Sequence, residues 1–372
     1  MSSLPGKTIV LALDRLNGRQ HTFGVLLTSL IEQLKTRLSN LTLLRMQARA
    51  DLVTASAREL ILPTWMENHY LYSMFIALYL KKHEVDLVHY PFLYAPYTWW
   101  ATDNKRVVTI HGAARASVSG DVVQRFHPLK LRRYRQALKA FDAVITVSEA
   151  SKRDIVAHYQ VPPEKVHVIY NGVGEEFRPG LDWRPTLEKY GVAGPYLLSV
   201  STIKPKKNML ATIRAYAELK RRGLPHKLVL VGYKTSGYTA MDEAISQLGL
   251  QNDVIQTGFV EADAVPKFYA GADLLVFPSL HEGFGLPVVE AFASGCPVVT
   301  SNVYSLPEVA GDAAFYCDPQ DVADISTKMH RVLADDQLKQ DLIQKGLSRA
   351  KQFSWTKCAE QTVAIYQQVL ER

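Results

Sequence analysis

Two carboxylates flank a glycine-containing turn in the second half of the sequence. Glu282 and Glu290 are separated by seven residues in the stretch EGFGLPVVE, which follows an apolar run at 274–277. Pro287 suits the first position of a helix, and the free N–H groups and positive end of that helix favour an anion. Because carboxylates accept hydrogen bonds from hydroxyls, the pair indicates a sugar or ribose beside a phosphate. A helix cap with a surface glutamate is the alternative interpretation.

Lysines form a second candidate site. Lys204, Lys206 and Lys207 come shortly after the apolar run 196–200 and just ahead of a helical pattern. Their charge can neutralise a diphosphate leaving group. A lysine cluster is also typical of a solvated surface, but its position after a predicted strand favours a functional role.

A histidine ends a predicted strand in the first half of the chain. His111 follows the apolar run 106–110, where its ring can hydrogen-bond a sugar hydroxyl and titrate near neutral pH. A structural role is the alternative. The first loop, 16–20, is only weakly glycine-rich and is not GxGxxG, so a nicotinamide-type fingerprint is excluded. Walker A, HExxH and GxSxG motifs are also absent from the sequence.

Strands and helices must position these residues. Apolar runs typical of strands occur at 8–13, 41–46, 85–90, 106–110, 143–147 and 166–169, then at 196–200, 227–231, 254–256, 274–277, 298–300 and 314–316. Helical patterns lie between most of them, which is typical of parallel sheets covered on both faces. The two series of six predict two doubly wound α/β domains, joined in the turn-rich stretch 171–195. Ligands of such sheets bind beyond the carboxyl ends of the strands, so two facing domains predict a cleft.

The overall composition is that of a globular protein. Of 372 residues, 47% are hydrophobic and 21% charged, which excludes a disordered or collagen-like chain. The three cysteines are odd in number and far apart, which fits a reducing cytosol better than a disulfide framework. The N-terminal apolar run is too short for a signal peptide. The run 71–80 is too short for a membrane span and indicates a buried helix. We therefore expect a soluble, cytoplasmic protein.

One segment carries most of the net charge of +7. Residues 122–141 include six basic side chains and no acidic one, namely Arg125, Lys130, Arg132, Arg133, Arg135 and Lys139. Leu131, Tyr134, Leu138 and Phe141 give the segment a helical apolar stripe, which we expect to face the core. The functional alternative is contact with anionic lipid headgroups or a lipid-diphosphate acceptor, peripheral on the inner face of a membrane. Nucleic acid is disfavoured, because its binders more often spread their charge among stacking aromatics.

Aromatic residues are concentrated in the first half of the chain. They are Trp65, Tyr70, Tyr72, Phe75, Tyr90, Phe92, Tyr94, Tyr97, Trp99 and Trp100. Some of these rings can stack on an acceptor sugar or meet a lipid, whereas packing in the core is the more ordinary role of such side chains.

Taken together, the motifs resemble the family-four retaining glycosyltransferases. Glu282 and Glu290 match the E-x7-E signature of that family. The similarity extends over nearly the whole chain through His111-Gly112, AFDAVITVSEASKRDI, VIYNGV, STIKPKKN, GFVEADAVPKFYAGAD, SNVYSLPEVAGDAA and FSW. The resemblance implies a GT-B fold, in which two Rossmann-like domains face a cleft. An acceptor-side domain would span 1–180 and be completed by a C-terminal helix, 354–372, that crosses back to it. A nucleotide-sugar-binding domain would span 181–353.

The resemblance also implies roles for particular residues. The donor-binding positions would be Gly18, Lys206, Lys207, Phe259, Val260, Gly283, Phe284, Gly285, Leu286 and Glu290. Glu290 would hold the ribose hydroxyls, and the catalytic residues would be His111, Glu282 and Lys207. Of these, Glu282 would bind the hydroxyls of the donor sugar, His111 would lie beside that sugar, and Lys207 would stabilise the departing diphosphate.

Other positions would surround the rest of the donor. Gly18 would close over the diphosphate, and Phe259 and Val260 would line the nucleobase pocket. Two positions depart from the family pattern. Lys206 stands where relatives often have arginine and lacks its planar two-pronged grip, and the loop around Gly18 lacks a double glycine.

The implied activity is transfer of a hexose-type sugar from a UDP- or GDP-sugar to a saccharide or lipid-linked acceptor. It would proceed with retention at the anomeric carbon, by front-face substitution, and without a metal or other cofactor. A nucleotide-sugar 2-epimerase and a non-catalytic sugar-nucleotide-binding protein are the alternatives.

Overall fold

The computed structural model describes residues 4–13, 22–45, 58–61, 69–92, 103–112, 128–234 and 239–372. The chain divides into two units, the first comprising Met1–Gly172 with Ser354–Arg372 and the second Val173–Phe353. The first division falls within the turn-rich stretch 171–195. Phe177 already packs on Tyr269 in the core of the second unit, so this unit begins before residue 180, where the sequence places the boundary.

The first unit is built on a parallel sheet of seven described strands. They are β1 (Ile9–Leu13), β2 (Leu41–Arg45), β3 (Arg58–Ile61), β4 (Leu87–Tyr90), β5 (Lys105–Ile110), β6 (Ala143–Thr146) and β7 (Val166–Val168). Their order is β3-β2-β1-β4-β5-β6-β7. The prediction of six strands here is wrong, because it misses β3. This strand is short, lies at the sheet edge and is exposed at both ends, so it lacks the continuous apolar run of a central strand.

Helices cover both faces of this sheet. They are α1 (Thr22–Lys35), α2 (His69–Lys82), α3 (Pro128–Lys139) and α4 (Glu149–Tyr159). Ile76 of α2, Leu138 of α3 and Ile155 of α4 belong to one apolar core. Leu27 and Ile31 of α1 belong to the core on the other face. Helices α2, α3 and α4 therefore share one side of the sheet.

Helix α2 is only half buried. The side chains of Leu71, Met74 and Leu78 are 37%, 51% and 62% exposed, whereas Ile76 and Leu80 are buried. The prediction of a buried helix over 71–80 is wrong, because a helix in an outer layer contacts the sheet with one face only. Spacings of three and four place the three exposed residues together on the other face, and we call them the α2 stripe. Within the described ranges, every helix is too short or too polar to span a bilayer.

The second unit has a parallel sheet of six strands. They are β8 (Tyr196–Val200), β9 (Lys227–Val231), β10 (Val254–Gly258), β11 (Leu274–Phe277), β12 (Val298–Ser301) and β13 (Phe315–Cys317). The helices are α5 (Arg184–Glu188), α6 (Met209–Arg221), α7 (Ala240–Gln247), α8 (Val265–Ala270), α9 (Leu286–Ala293), α10 (Leu306–Ala310), α11 (Val322–Ala334) and α12 (Asp336–Ala350). The strand order is β10-β9-β8-β11-β12-β13, so the chain moves outward from β8 and then returns to its other side at β11. This reversal creates a crevice for a ligand at the carboxyl ends of β8 and β11.

The last helix, α13 (Trp355–Leu370), belongs to the first unit. Ser354 caps it by accepting a hydrogen bond from the Lys357 N–H. Tyr366 is fully buried, and its hydroxyl lies 2.6 Å from Nδ1 of His89 on β4. The other ring nitrogen of His89 lies 2.8 Å from Thr109 Oγ1 on β5. The C-terminal helix thus completes the core that α1 covers.

Candidate donor site

The central contact of the candidate site is an ion pair between two loops of the second unit. Lys207 ends a short 3-10 turn, Pro205–Lys207, after β8, and Glu282 lies in the loop after β11. Lys207 Nζ lies 2.5 Å from Glu282 Oε1, and the two side chains are only 16% and 9% exposed. The pair therefore occupies the crevice where the strand order reverses, with little access to water.

Backbone hydrogen bonds hold the two loops together beneath this pair. The N–H of Leu280 donates to the Lys206 carbonyl at 2.9 Å, and the Ser279 hydroxyl donates to the same oxygen at 3.1 Å. The Asn208 amide donates to the carbonyls of Pro278 and Pro319, which belong to the segments after β11 and β13. The position of Lys207 relative to Glu282 is thus built into the main chain.

Gly285 permits the sharp entry into α9. It caps that helix in the left-handed region, with a φ of 113°, and a Cβ at this position would lie 2.7 Å from Leu306 Cδ2. The buried hydroxyl of Ser305 lies 2.9 Å from the carbonyl oxygens of both Glu282 and Phe284. The Phe284 ring packs on Phe353 in the interior, so any part of Phe284 that faces a ligand must be its main chain.

Glu290 lies just over one turn into α9. The Tyr269 hydroxyl, on α8, donates to Glu290 Oε2 at 2.7 Å. Burial raises the pKa of Glu290 to about 7, the bond from Tyr269 acts in the opposite direction, and the nearby charge of Glu176 adds to the increase. Burial also raises the pKa of Tyr269 well above its ordinary value, so this hydroxyl keeps its proton and remains a donor.

Lys206 lies beside the ion pair and differs from Lys207 in its surroundings. Burial lowers the pKa of Lys206, Glu282 opposes the decrease, and Lys207 and Lys204 add to it. The carbonyl of Lys206 is fully used in holding the two loops, as described above. The residue as a whole is exposed, so the Lys206 ammonium is accessible to an anion that approaches this turn.

The predicted nucleobase residues follow β10. The Phe259 side chain is 45% exposed, whereas Val260 is buried in the core of the unit and can present only its main chain to a ligand. Tyr233, after β9, is a further exposed aromatic residue at the same edge of the sheet. Its position directly after a strand is the sequence feature that makes it a further candidate.

His111 lies in the first unit, at the end of β5. Its Nε2 lies 3.1 Å from the Pro91 carbonyl, to which it must donate because a carbonyl oxygen only accepts. Burial lowers the pKa of His111 to about 4. The prediction that it titrates near neutral pH is therefore wrong, and the ring is neutral. Gly18, the other predicted donor residue of this unit, lies outside the described residues.

The described part of the basic segment, 128–141, contains α3. Leu138 and Phe141 are fully buried, with Leu131 and Tyr134 packed against the same core, which confirms that the apolar stripe faces inward. Arg132, Arg133 and Lys139 are exposed; Arg125 lies outside the described residues, as does the side chain of Lys130.

Few of the aromatic residues can be placed. The buried ring of Tyr90 packs on Phe141, and Phe75 packs against the same core, so both have structural roles. The ring of Phe92 lies 5.4 Å from that of His111. Trp65, Tyr94, Tyr97, Trp99 and Trp100 lie outside the described residues, and so do the side chains of Tyr70 and Tyr72. Among the described residues, no three side chains of the metal-binding types converge to hold a metal ion.

Comparison with known proteins identifies the family. Residues 24–177 match the model described as Glycosyltransferase Family 4, and residues 189–349 match Glycosyl transferases group 1. The O-antigen chain mannosyltransferase B of Escherichia coli is 31% identical over 296 residues, which cover 77% of this chain and 75% of that protein. The chain belongs to the family-four glycosyltransferases.

Two further comparisons support the family and the fold of this glycosyltransferase. The serotype-specific mannosyltransferase WbdA of Escherichia coli is 31% identical over 258 residues, which cover 67% of this chain but only 31% of WbdA. The Anabaena protein Alr3699/HepE, solved in complex with UDP and glucose, superposes with a TM-score of 0.78 at 20% identity, covering 97% of this chain and 100% of that one. The predicted GT-B fold is confirmed.

Proposed function

We propose that this glycosyltransferase moves a hexose-type sugar from a UDP- or GDP-sugar to a saccharide or lipid-linked acceptor. The observation that carries the proposal is the Lys207–Glu282 pair in the crevice between β8 and β11. Its cation suits a diphosphate, and its carboxylate suits sugar hydroxyls. Mannose is the first sugar to test, because O-antigen chain mannosyltransferase B and WbdA are both mannosyltransferases.

The chemical difficulty of such a transfer is the charge of the leaving group. As the bond between the anomeric carbon and the phosphate oxygen breaks, negative charge grows on the diphosphate while the sugar becomes oxocarbenium-like. Lys207 and the N-terminal end of α9 stabilise this charge, with Lys206 as a second cation. Gly283, Gly285 and Leu286 contribute main-chain contacts at the same turn.

Retention follows from attack on the face that the diphosphate leaves. The acceptor oxygen bonds to the anomeric carbon, and its proton passes to the phosphate oxygen that has just been released, so no protein base is required. Glu282 orients the sugar through its hydroxyls, and Glu290 holds the ribose. Neutral His111 serves as a hydrogen-bonding partner of the sugar rather than as a cation, since burial lowers its pKa to about 4. No metal takes part in this proposal.

An anionic membrane surface is the proposed location of the acceptor. Helices α2 and α3 share one side of the first sheet and contain no acidic residue. On α3, Arg132 and Arg133 are exposed, and α2 presents both its exposed stripe and Lys81 and Lys82. Cations beside exposed apolar side chains suit the interface of a bilayer that contains anionic lipids. The enzyme would then act as a peripheral protein on the cytoplasmic face.

The decisive experiment is a donor panel followed by turnover. UDP, GDP and their glucose and mannose derivatives are screened by thermal shift, since a ligand of the folded state raises the melting temperature. Any donor that binds is then tested for hydrolysis and transfer with wild type, Glu282→Gln and the control Glu188→Gln, an exposed residue on α5. We expect Glu282→Gln alone to lose turnover. A Glu282→Gln enzyme with wild-type turnover would contradict the proposed site.

A further inference from the structure

Glu290 is held by a residue from outside the signature motif. Its Oε2 accepts a hydrogen bond from Tyr269 on α8, and Tyr269 is fully buried. The rings of Tyr269 and Phe177 pack edge to face, with their centroids 5.8 Å apart. The tyrosine hydroxyl therefore has little freedom to turn away. It fixes one oxygen of the carboxylate and the plane in which the other oxygen lies.

The charges around Glu290 make this contact important. Burial disfavours the ionised form of the carboxyl group, and the charge of Glu176 disfavours it further. The Tyr269 hydroxyl is the group that acts in the opposite direction. With a resulting pKa of about 7, the carboxyl group of Glu290 is partly protonated and partly ionised at neutral pH.

We propose that Tyr269 is a positioning residue for Glu290, whose carboxylate it orients for the ribose of the nucleotide and keeps ionised against the nearby charge of Glu176. The inference rests on the proposed function, in which Glu290 holds that ribose. Tyr269 keeps the carboxylate charged and oriented, and Glu176 opposes its charge. The affinity for the nucleotide therefore depends on the protonation of Glu290 near neutral pH.

The hydrogen-bonding capacity of a carboxyl group explains the coupling. An ionised carboxylate only accepts, so with one position on Oε2 taken by Tyr269 it can still accept from both ribose hydroxyls. A protonated carboxyl group must donate at one oxygen and loses an acceptor position there. Binding of a nucleoside diphosphate should therefore be constant above about pH 8 and weaken as the pH falls through 7, by up to tenfold per pH unit.

The test measures this pH dependence by calorimetry between pH 5.5 and 9, with UDP or GDP as the probe, whichever binds. Tyr269→Phe removes the hydrogen bond to the charged form and should move the midpoint upward by about one to two pH units. Glu176→Gln removes the neighbouring negative charge and should move the midpoint downward. At the alkaline end Glu176→Gln should bind like wild type. Tyr269→Phe should bind more weakly there, because the orienting hydrogen bond is lost, and its affinity should begin to fall at a higher pH than that of wild type, which a merely structural defect would not produce.

Two matched controls accompany these variants. Tyr216→Phe removes a different buried tyrosine hydroxyl, which bonds the His226 carbonyl. Glu175→Gln neutralises the exposed neighbour of Glu176. Neither should move the midpoint. Because Glu176 is exposed, Glu176→Gln keeps the test decisive even if Tyr269→Phe does not fold.

The outcomes separate this inference from the proposed function. Ribose recognition is tested with the 2′-deoxynucleotide and with Glu290→Gln. If wild type binds the 2′-deoxynucleotide as tightly as the ribonucleotide, and Glu290→Gln binds the ribonucleotide as tightly as wild type does, Glu290 does not hold the ribose and both ideas fail. If ribose recognition is present but the midpoint stays unchanged in Tyr269→Phe and Glu176→Gln, only the inference fails. An equal loss of affinity at every pH in Tyr269→Phe, with no shift in Glu176→Gln, would likewise overturn it.

Discussion

Lys207 Nζ and Glu282 Oε1 lie 2.5 Å apart across the point where the second sheet reverses its strand order. With little solvent around them, each charge compensates the other, and either one alone would be a costly buried charge. Under the proposed function, a sugar nucleotide would replace both partners at once, because its phosphates would take the ammonium and its sugar hydroxyls the carboxylate. The ion pair would then hold the two loops in place for that exchange of contacts.

Removal of the cation should affect catalysis more than binding. We expect Lys207→Met to lower kcat for donor turnover by about 10²–10³-fold, because it removes stabilisation of the leaving group in the transition state. Initial rates over a range of donor concentrations would separate kcat from KM. Lys204→Met, an exposed lysine of the same cluster, is the control and should retain near wild-type rates. Equal activity of the two variants would contradict the role given to Lys207.

Gly232 should be essential to the shape of the loop that carries the lysines. It directly follows β9 with a φ of 134°, and a Cβ there would lie 1.9 Å from the Ser201 carbonyl oxygen. We expect Gly232→Ala to cost about 3 kcal/mol or more in the free energy of unfolding and to reduce turnover. Gly249→Ala is the control, because it shares a left-handed φ but meets no atom within 4 Å, and it should cost only about 1–2 kcal/mol. Urea unfolding measures both, and similar costs would refute the close approach at Gly232.

Acid should destabilise the first unit. Burial lowers the pKa of His89 to about 3 and that of His111 to about 4, whereas both are near 6.5 in an unfolded chain. Between pH 6.5 and 4 the unfolded chain binds more protons than the folded one, so the free energy of unfolding falls as the pH falls. The loss is about 1.4 kcal/mol per pH unit for each histidine. Urea midpoints at pH 7, 6 and 5 would measure it.

Substituting one of these histidines should reduce the dependence of the free energy of unfolding on pH. His89→Gln keeps a polar side chain beside Tyr366 and Thr109 but removes one titrating group, so the midpoint should depend less on pH, although it is lower at pH 7. His330→Gln, at an exposed site on α11, should leave the slope unchanged. A wild-type slope in His89→Gln would show that this histidine contributes no proton linkage.

Membrane association should depend on α3 and on the α2 stripe in different ways. The test is flotation with vesicles that contain anionic lipid. At low salt, the double variant Arg132→Glu/Arg133→Glu should partition onto these vesicles roughly tenfold less than wild type, or weaker still, since each cation contributes about 1 kcal/mol. The double variant Met74→Gln/Leu78→Gln should instead lose the part of binding that resists high salt, because apolar burial is not screened.

Exposed residues of the second unit provide the controls. Arg221→Glu/Arg222→Glu reverses an exposed arginine pair at the end of α6, and Leu248→Gln changes an exposed leucine. Both should float like wild type. If the wild-type protein binds no vesicles at any salt concentration, the membrane proposal is contradicted. If the α2 variants change their oligomeric state, another copy of the chain covers the α2 stripe.

The sequence predicts the fold well wherever the signal is local. Strands such as β8 and β11 are continuous apolar runs and were located to the residue, whereas β3 escaped because an edge strand needs no such run. The exposure of Leu78 could not be predicted either, since an apolar helix has the same sequence pattern whether one face or both are covered.

The candidate site shows the same limit. Lys207 and Glu282 were recognisable because each follows a strand, but their contact joins residues 75 positions apart. Tyr269 acts on Glu290 across 21 positions, and although it lies within the family motif GFVEADAVPKFYAGAD, nothing in that local pattern indicates its partner. The pKa of His111 depends on burial by several segments, so residue type alone led to the wrong protonation behaviour.

Helix α13 has a consequence for the order in which the protein matures on the ribosome. The second unit is one unbroken stretch of chain, Val173–Phe353, and can acquire its full core as soon as that stretch has emerged. The first unit is synthesised earlier but lacks Cys358, Val363 and Tyr366 until α13 has been made. The unit that is translated first therefore completes its core only after the whole second unit has emerged, and until then α1 shields that side of its sheet without α13.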